Sequence, residues 1–278
     1  MTLKELYDAG TDILDEIGIE SPAVDAFYLL EHVTGIDMSG YLLRKGQEIS
    51  RETEAEYMRL IEIRAGHVPY QYITGEAPFM GYSIKVTPDV LIPRLDTEVL
   101  CEEAAGLITD GTRVLDMCTG SGCIAVALKG ICPGASVTAC DISEKALDIA
   151  MENARINNVD IRFVQSDLFE DLGGGEYDLI VSNPPYVTAG EYETLSPEVK
   201  DHEPAGALLA GEDGLDIYRR LIPEAKAHLA SGGSLIMEIG CSQAADVRTL
   251  MEASGFRNIK LIRDLAGLDR VIMGKTDI

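Results

Sequence analysis

From residue 112 onward the chain alternates short apolar runs with amphipathic stretches, and this rhythm restricts the possible folds more than any other feature. Strands are expected at 112–117, 136–141, 161–165, 177–182, 234–239, 258–262 and 270–273. Helices are expected at 97–109, 122–130, 143–157, 214–230 and 242–253. Alternation of this kind gives a mostly parallel sheet covered on both faces. The last two strands are separated by too few residues, within "LIRDLAGLDRVIM", for a crossover helix, so they should pair antiparallel.

The preceding sequence has another character. In residues 1 to about 70, Leu3, Leu6, Tyr7, Ile13, Leu14 and Ile17 follow a helical period opposite an acidic face, as in a small bundle. Ser21-Pro22 should start a second helix, with Ser21 as N-cap, and Ser50 should cap a further helix closed near Gly66. Residues 76–94, "EAPFMGYSIKVTPDVLIPR", suggest a hairpin. The expected organisation is a helical substrate-docking domain at 1–72, a β-hairpin linker at 73–94 and an α/β domain at 95–278.

Composition removes several function classes. The six cysteines form no C-x-x-C pair and the histidines are scattered, so no metal site or disulfide framework is expected. The formal net charge of −24, without a Lys/Arg cluster, disfavours direct nucleic-acid or membrane contact. The opening residues do not read as a signal peptide, and no apolar run approaches the ~18 residues of a membrane span. A cytoplasmic protein is expected.

In "RVLDMCTGSGCIAVAL" a strand leads through Gly120 and Gly122 into a helix, where backbone N–H groups can approach a ligand. The same letters fit a dinucleotide fingerprint, so the turn alone leaves a nicotinamide enzyme open. Asp141 ends the next strand, where a carboxylate can accept from both ribose hydroxyls. Asp167 ends the third, placed to accept from an exocyclic amine, with Leu168 and Phe169 beside an adenine face. Asp116, Asp141, Asp167 and Asn183 all end strands, and ligands gather at such ends.

"YDLIVSNPPYV" ends its strand in Asn183, Pro184, Pro185 and Tyr186. Prolines contribute no N–H, so the turn offers carbonyl oxygens, and Asn183 adds a side-chain one. A planar guest with an NH₂ group, an amide or aromatic amine, fits such acceptors. Its delocalised nitrogen is a poor nucleophile, yet a sulfonium methyl can be attacked without a catalytic base. An adenine-amino DNA or RNA methyltransferase would use the same clamp.

With these residues the chain resembles the release factor glutamine methyltransferases, the PrmC/HemK family. The resemblance also rests on "PYQYITGEAPFMGYSIKVTPDVLIPRLDTEVL", "EPAGALLAGEDGLDIYRRLI", "LIMEIG" and "LAGLDRVIMG", and runs nearly end to end. It implies a Rossmann-like seven-stranded sheet and transfer of a methyl group from S-adenosylmethionine, leaving S-adenosylhomocysteine. The acceptor would be the glutamine side-chain amide in the Gly-Gly-Gln loop of release factors. By the same resemblance Cys118, Thr119, Gly120, Ser121 and Gly122 would line the methionine portion, Asp141 the ribose, and Asp167 with Leu168 the adenine. Asn183 and Pro184 would hold the amide hydrogens, with Pro185, Tyr186 and Phe79 walling the glutamine pocket. Release factors are the expected partners, and a monomer is expected. Cys118 departs from the family by standing where its first loop glycine is common. His202 departs by replacing an aromatic residue before Glu203-Pro204, and no catalytic role is expected of it.

Overall fold

The computed structural model describes residues 1–277, which divide into two units. The first comprises Met1–Gly75 together with Ser196–His202. Its helices are α1 (Leu3–Glu16), α2 (Pro22–Thr34), α3 (Met38–Arg44), α4 (Arg51–Ala65) and α5 (Tyr70–Thr74). Thr2 and Glu5 form a reciprocal cap on α1, while Ser50 accepts from the Thr53 N–H at 3.1 Å to start α4. Ser21 occupies the N-cap position of α2 as expected, but its side chain makes no capping bond and Pro22 alone sets the first turn. The apolar faces meet in a core of Leu3, Leu6, Leu14, Leu29, Leu30 and Ile61 around Tyr57. Gly10 admits that ring, since a Cβ there would lie 2.1 Å from the Tyr57 hydroxyl oxygen.

One cation is sealed inside this unit. Arg64, 2% exposed, donates from Nε to Asp25 at 2.6 Å and from Nη2 to Glu198. A buried guanidinium needs paired carboxylates. Glu198 satisfies that need from the far side of the sequence, which brings 196–202 into the helical unit.

The second unit is Glu76–Leu195 with Glu203–Ile278, described as far as residue 277. A hairpin of β1 (Glu76–Phe79) and β2 (Tyr82–Lys85) opens it, shorter than the expected 76–94, since 86–94 carry no strand. The chain then runs through α6 (Leu95–Ala105), β3 (Arg113–Met117), α7 (Cys123–Ile131), β4 (Ser136–Asp141), α8 (Glu144–Ile156), β5 (Arg162–Gln165) and β6 (Tyr177–Ser182). After the short helix α9 (Ala189–Tyr192), and α10 (Pro197–His202), which belongs to the first unit, come α11 (Asp216–His228), β7 (Leu229–Glu238), α12 (Ala244–Ala253), β8 (Arg257–Arg263) and β9 (Asp269–Lys275). The sheet order is β5-β4-β3-β6-β7-β9-β8.

The first five of these strands are parallel, and β9 pairs antiparallel with both β7 and β8, as the short final connection requires. This is the Rossmann-like seven-stranded sheet that the resemblance implied. β3 feeds β4 on one side and has β6 on the other, so the winding reverses between β3 and β6 and opens a crevice at their carboxyl ends. The central strands are buried on both faces and read as continuous apolar runs. Among the described residues no helix is long and apolar enough to cross a membrane.

Candidate active site

A cavity of about 480 Å³ occupies the switch point of the second unit. Its wall includes Cys118, Thr119, Gly120 and Ser121 after β3, Asp141 at the end of β4, Asp167 and Leu168 after β5, and Asn183 and Pro185 after β6. Four strand ends thus converge on one volume, because parallel strands end on the same side of the sheet.

The loop after β3 is built on left-handed backbone. Cys118, Gly120 and Gly122 have φ of +60°, +53° and +78°. A Cβ at Gly120 would meet nothing within 4 Å, so this glycine faces open cavity. Gly122 does something else. It does not line the cavity, and a Cβ there would lie 2.8 Å from the Ala150 Cβ, so its bareness lets α7 pack against α8. Asp116 also lies outside the cavity. It is fully buried, and its Oδ2 accepts from the Thr119 hydroxyl and from the Ala125 N–H at 3.1 Å, bracing the loop from beneath. Burial pushes its carboxyl up to about 7.

Asp141 is held by backbone donors, Gly120 N–H on Oδ2 at 2.8 Å and Ser143 N–H on Oδ1 at 2.9 Å. Burial raises its pKa against those bonds. Each oxygen retains a further lone pair, directed by a fixed carboxylate plane. Asp167 pairs through Oδ1 with Arg220, a cavity residue from α11, at 2.9 Å. Leu168 lines the cavity with φ of +52°, whereas Phe169 points into the core and stacks on His228 at 4.5 Å between ring centres. Only Leu168 of that pair can meet a base.

Asn-Pro-Pro-Tyr is split in its directions. Asn183 lines the cavity and its Nδ2 donates to the Thr97 hydroxyl oxygen at 3.2 Å. Thr97, 3% exposed, donates in turn to Glu238 Oε2 at 2.6 Å. Tyr186 does not line the cavity, since its hydroxyl donates to Glu238 Oε1 at 3.1 Å and its carbonyl accepts from Gln243 at 2.9 Å. Burial first, then the nearby Glu238 charge, raises the phenol's pKa. Pro184 adds no side chain to the cavity wall, and no backbone donor among the described residues takes its carbonyl. Phe79 is 1% exposed on the inner face of the hairpin and is not a wall of this cavity.

Motif reading overlooked Thr97, Glu238, Arg220 and the bond from the Ile92 N–H to Glu203 at 3.3 Å. Arg94 also donates to Glu203, which joins the irregular segment "LIPR" to "EPAG". The quoted stretches contained all of these residues, but nothing in spacing relates positions more than a hundred apart.

The cavity's chemistry fits S-adenosylmethionine. Fixed carboxylates at Asp141 and Asp167 suit hydroxyl and amine donors on a cationic molecule, Leu168 and Ile142 offer apolar cover, and Gly120 leaves space against the backbone. Thiols contribute no charge: burial raises the pKa of Cys118 and holds it protonated.

Comparison with known proteins agrees along the whole chain. The model of the PrmC N-terminal domain matches residues 5–75 and that of the methyltransferase small domain matches 89–198. A release factor glutamine methyltransferase from Geobacter sulfurreducens is 39% identical, covering 99% of this chain and 96% of the relative. Another from Deinococcus radiodurans is 40% identical over 99% of both. Among solved structures, a methyltransferase from Pyrococcus furiosus shares the fold with a TM-score of 0.56 at 21% identity, covering 78% of this chain and all of that one. A 16S rRNA methyltransferase from T. thermophilus, solved with AdoMet and guanosine, gives 0.56 at 20% identity, covering 72% and 49%.

Proposed function

Because the chain belongs to the release factor glutamine methyltransferase family, we propose that it methylates the side-chain amide nitrogen of the glutamine in the Gly-Gly-Gln loop of peptide chain release factors. The observation that carries the reading is that Asn183 opens into the same cavity as Asp141 and the loop at Gly120. A nucleophile binding site and a nucleoside site then share one volume.

S-adenosylmethionine, when bound, supplies a methyl group on a cationic sulfur. In this reading Asp141 accepts from the ribose hydroxyls, Asp167 from the adenine amine, and Leu168 covers the base. Cys118, Thr119, Gly120 and Ser121 bound the methionine portion. The Asn183 side-chain oxygen and the Pro184 carbonyl accept the two amide hydrogens, turning the nitrogen toward the methyl group. Positioning of this kind replaces a general base, because the amide proton can leave to water after transfer. Pro185 bounds the cavity, while Tyr186 acts from behind, holding the turn on Glu238.

We assign docking of the protein substrate to the helical unit, with no nucleic-acid contact, since the chain carries a net charge of −24. Radiolabelled methyl transfer into purified release factors, beside equal amounts of DNA and ribosomal RNA, tests the reading. Label is expected in protein, at the Gly-Gly-Gln glutamine by mass spectrometry. Label confined to nucleic acid would favour an adenine-amino methyltransferase instead.

A further inference from the structure

Glu238 ends β7 and is 1% exposed, yet it governs both ends of Asn-Pro-Pro-Tyr. Its two oxygens accept from the Tyr186 and Thr97 hydroxyls, and the Thr97 oxygen meets Asn183 Nδ2. An ionised carboxylate only accepts, so both hydroxyl protons are committed to it. The Thr97 oxygen then has only lone pairs left. What faces those lone pairs must be the amide's NH₂, because its oxygen would meet another acceptor. Burial raises the Glu238 pKa; the Thr97 and Tyr186 hydrogen bonds oppose that rise, as does the charge of nearby Arg270, which pairs with Asp96 and Asp264 at 3.1 Å each, and together they favour the ionised carboxylate.

We propose that Glu238, acting through Thr97, is a positioning residue that fixes the Asn183 amide with its oxygen presented to the nucleophile and excludes the flipped amide. The inference rests on the functional reading above, since a flip matters only to a substrate that donates N–H groups. An asparagine amide has nearly the same shape in both orientations, so packing alone cannot choose between them. The direction of a proton chain can. Here the choice is made two residues away from the substrate, by a charge that never touches it.

The polarity of the chain makes the inference testable with near-isosteric changes. In Glu238→Gln the new NH₂ can donate to the Thr97 oxygen, freeing the hydroxyl proton to point at Asn183 and to hold its oxygen away from the substrate. Thr97→Val deletes the relay at almost constant volume, while Thr97→Ser keeps it. With saturating S-adenosylmethionine, kcat should fall about 10–100-fold in Glu238→Gln and Thr97→Val, as expected for loss of one preorganised hydrogen bond. KM for release factor and calorimetric cofactor affinity should stay within about threefold. Thr97→Ser should transfer methyl at close to the wild-type rate.

A purely structural role would move thermal stability and leave kcat per folded molecule alone. Thr97→Val with wild-type kcat, or Thr97→Ser as poor as Thr97→Val, would overturn the proposal. A second readout does not depend on methyl transfer. The Asn183 side-chain NH₂ resonances, assigned by their loss in Asn183→Ala, should exchange slowly in the wild type and Thr97→Ser, and markedly faster in Thr97→Val. Equal exchange in all three would equally refute the relay. If the wild type transferred no methyl to release factors, the functional reading would fail while the exchange data still judged the orientation.

Discussion

Arg220 lies 2.9 Å from Asp167, guanidinium nitrogen to carboxylate oxygen, with both side chains on the wall of the same cavity. The pair engages Oδ1 and leaves Oδ2 for an exocyclic amine. It is partly solvent-exposed, and exposed pairs contribute at most about 1 kcal/mol. Arg220→Ala should therefore weaken S-adenosylmethionine binding by no more than about fivefold. Asp167→Ala also removes a charged acceptor, worth roughly 1.5–3 kcal/mol, and should cost about 10–100-fold. Isothermal titration of both variants checks the order. Equal losses would mean that Arg220, not Asp167, meets the cofactor.

Cys118 pays for its position with a φ of +60°. A side chain in that region costs roughly 1–2 kcal/mol, partly offset in a glycine variant by about 0.5–1 kcal/mol of chain entropy. Cys118→Gly should raise the urea midpoint by up to about 1 kcal/mol equivalent and leave cofactor affinity within about threefold. Loss of methyl transfer in a folded Cys118→Gly protein would give the thiol an unassigned part in the reaction.

Asn183→Ala should lower methyl transfer by roughly 10²–10³ while cofactor affinity falls much less, since Asp141 and the Gly120 loop remain. The Thr97 relay sharpens the expectation for Asn183→Asp. An oxygen would replace the NH₂ facing Thr97, whose proton is committed to Glu238, so two carboxylates would compete for one hydroxyl. Aspartate should rescue little of the rate at neutral pH. Single-turnover assays at saturating cofactor compare the two variants. Full activity in either would reduce Asn-Pro-Pro-Tyr to a turn.

Asp116 ties stability to pH. Its carboxyl sits at about 7 in the fold, above the ordinary value of roughly 3.9 in an unfolded chain. Between those values the folded protein holds a proton that the unfolded chain has lost, so stability falls as pH rises from about 4 to about 7. Burial costs the charged form a few kcal/mol at most, at about 1.4 kcal/mol per unit. Asp116→Asn keeps an oxygen for Thr119 and Ala125 and no longer titrates. Urea denaturation at pH 5 and pH 8 should show a smaller loss of stability in Asp116→Asn than in the wild type. Parallel losses would place the titration elsewhere among the many carboxylates.

The sheet was legible because each strand announces itself locally. "SVTACD" and "YDLIVS" occupy the expected bounds of β4 and β6, and the short link to β9 dictates its antiparallel pairing. The aim of side chains was not legible. Gly122 reads like Gly120 in the motif, yet Ala150 on the neighbouring helix explains its missing Cβ. Tyr186 and Phe169 stand beside site residues but turn toward Glu238 and His228, partners 52 and 59 positions later. Thr97 and Glu238 are 141 apart, and only the packed sheet makes them neighbours. α10 was also missed, since its six residues start at Pro197 and hold place through Glu198 and Arg64.

The Arg64–Glu198 bond bears on how such a protein can be recombined. The helical unit is not a cassette bounded by one junction, because the polypeptide enters or leaves it at Gly75, Ser196 and His202. A chimera spliced at Gly75 would import a foreign bundle while keeping the native 196–202, leaving Glu198 opposite whatever residue replaces Arg64. Exchange between relatives therefore has to be bipartite, carrying the insert along with the amino-terminal helices. The same linkage couples the effects of substitutions at Arg64 and Glu198, despite the 134 positions between them.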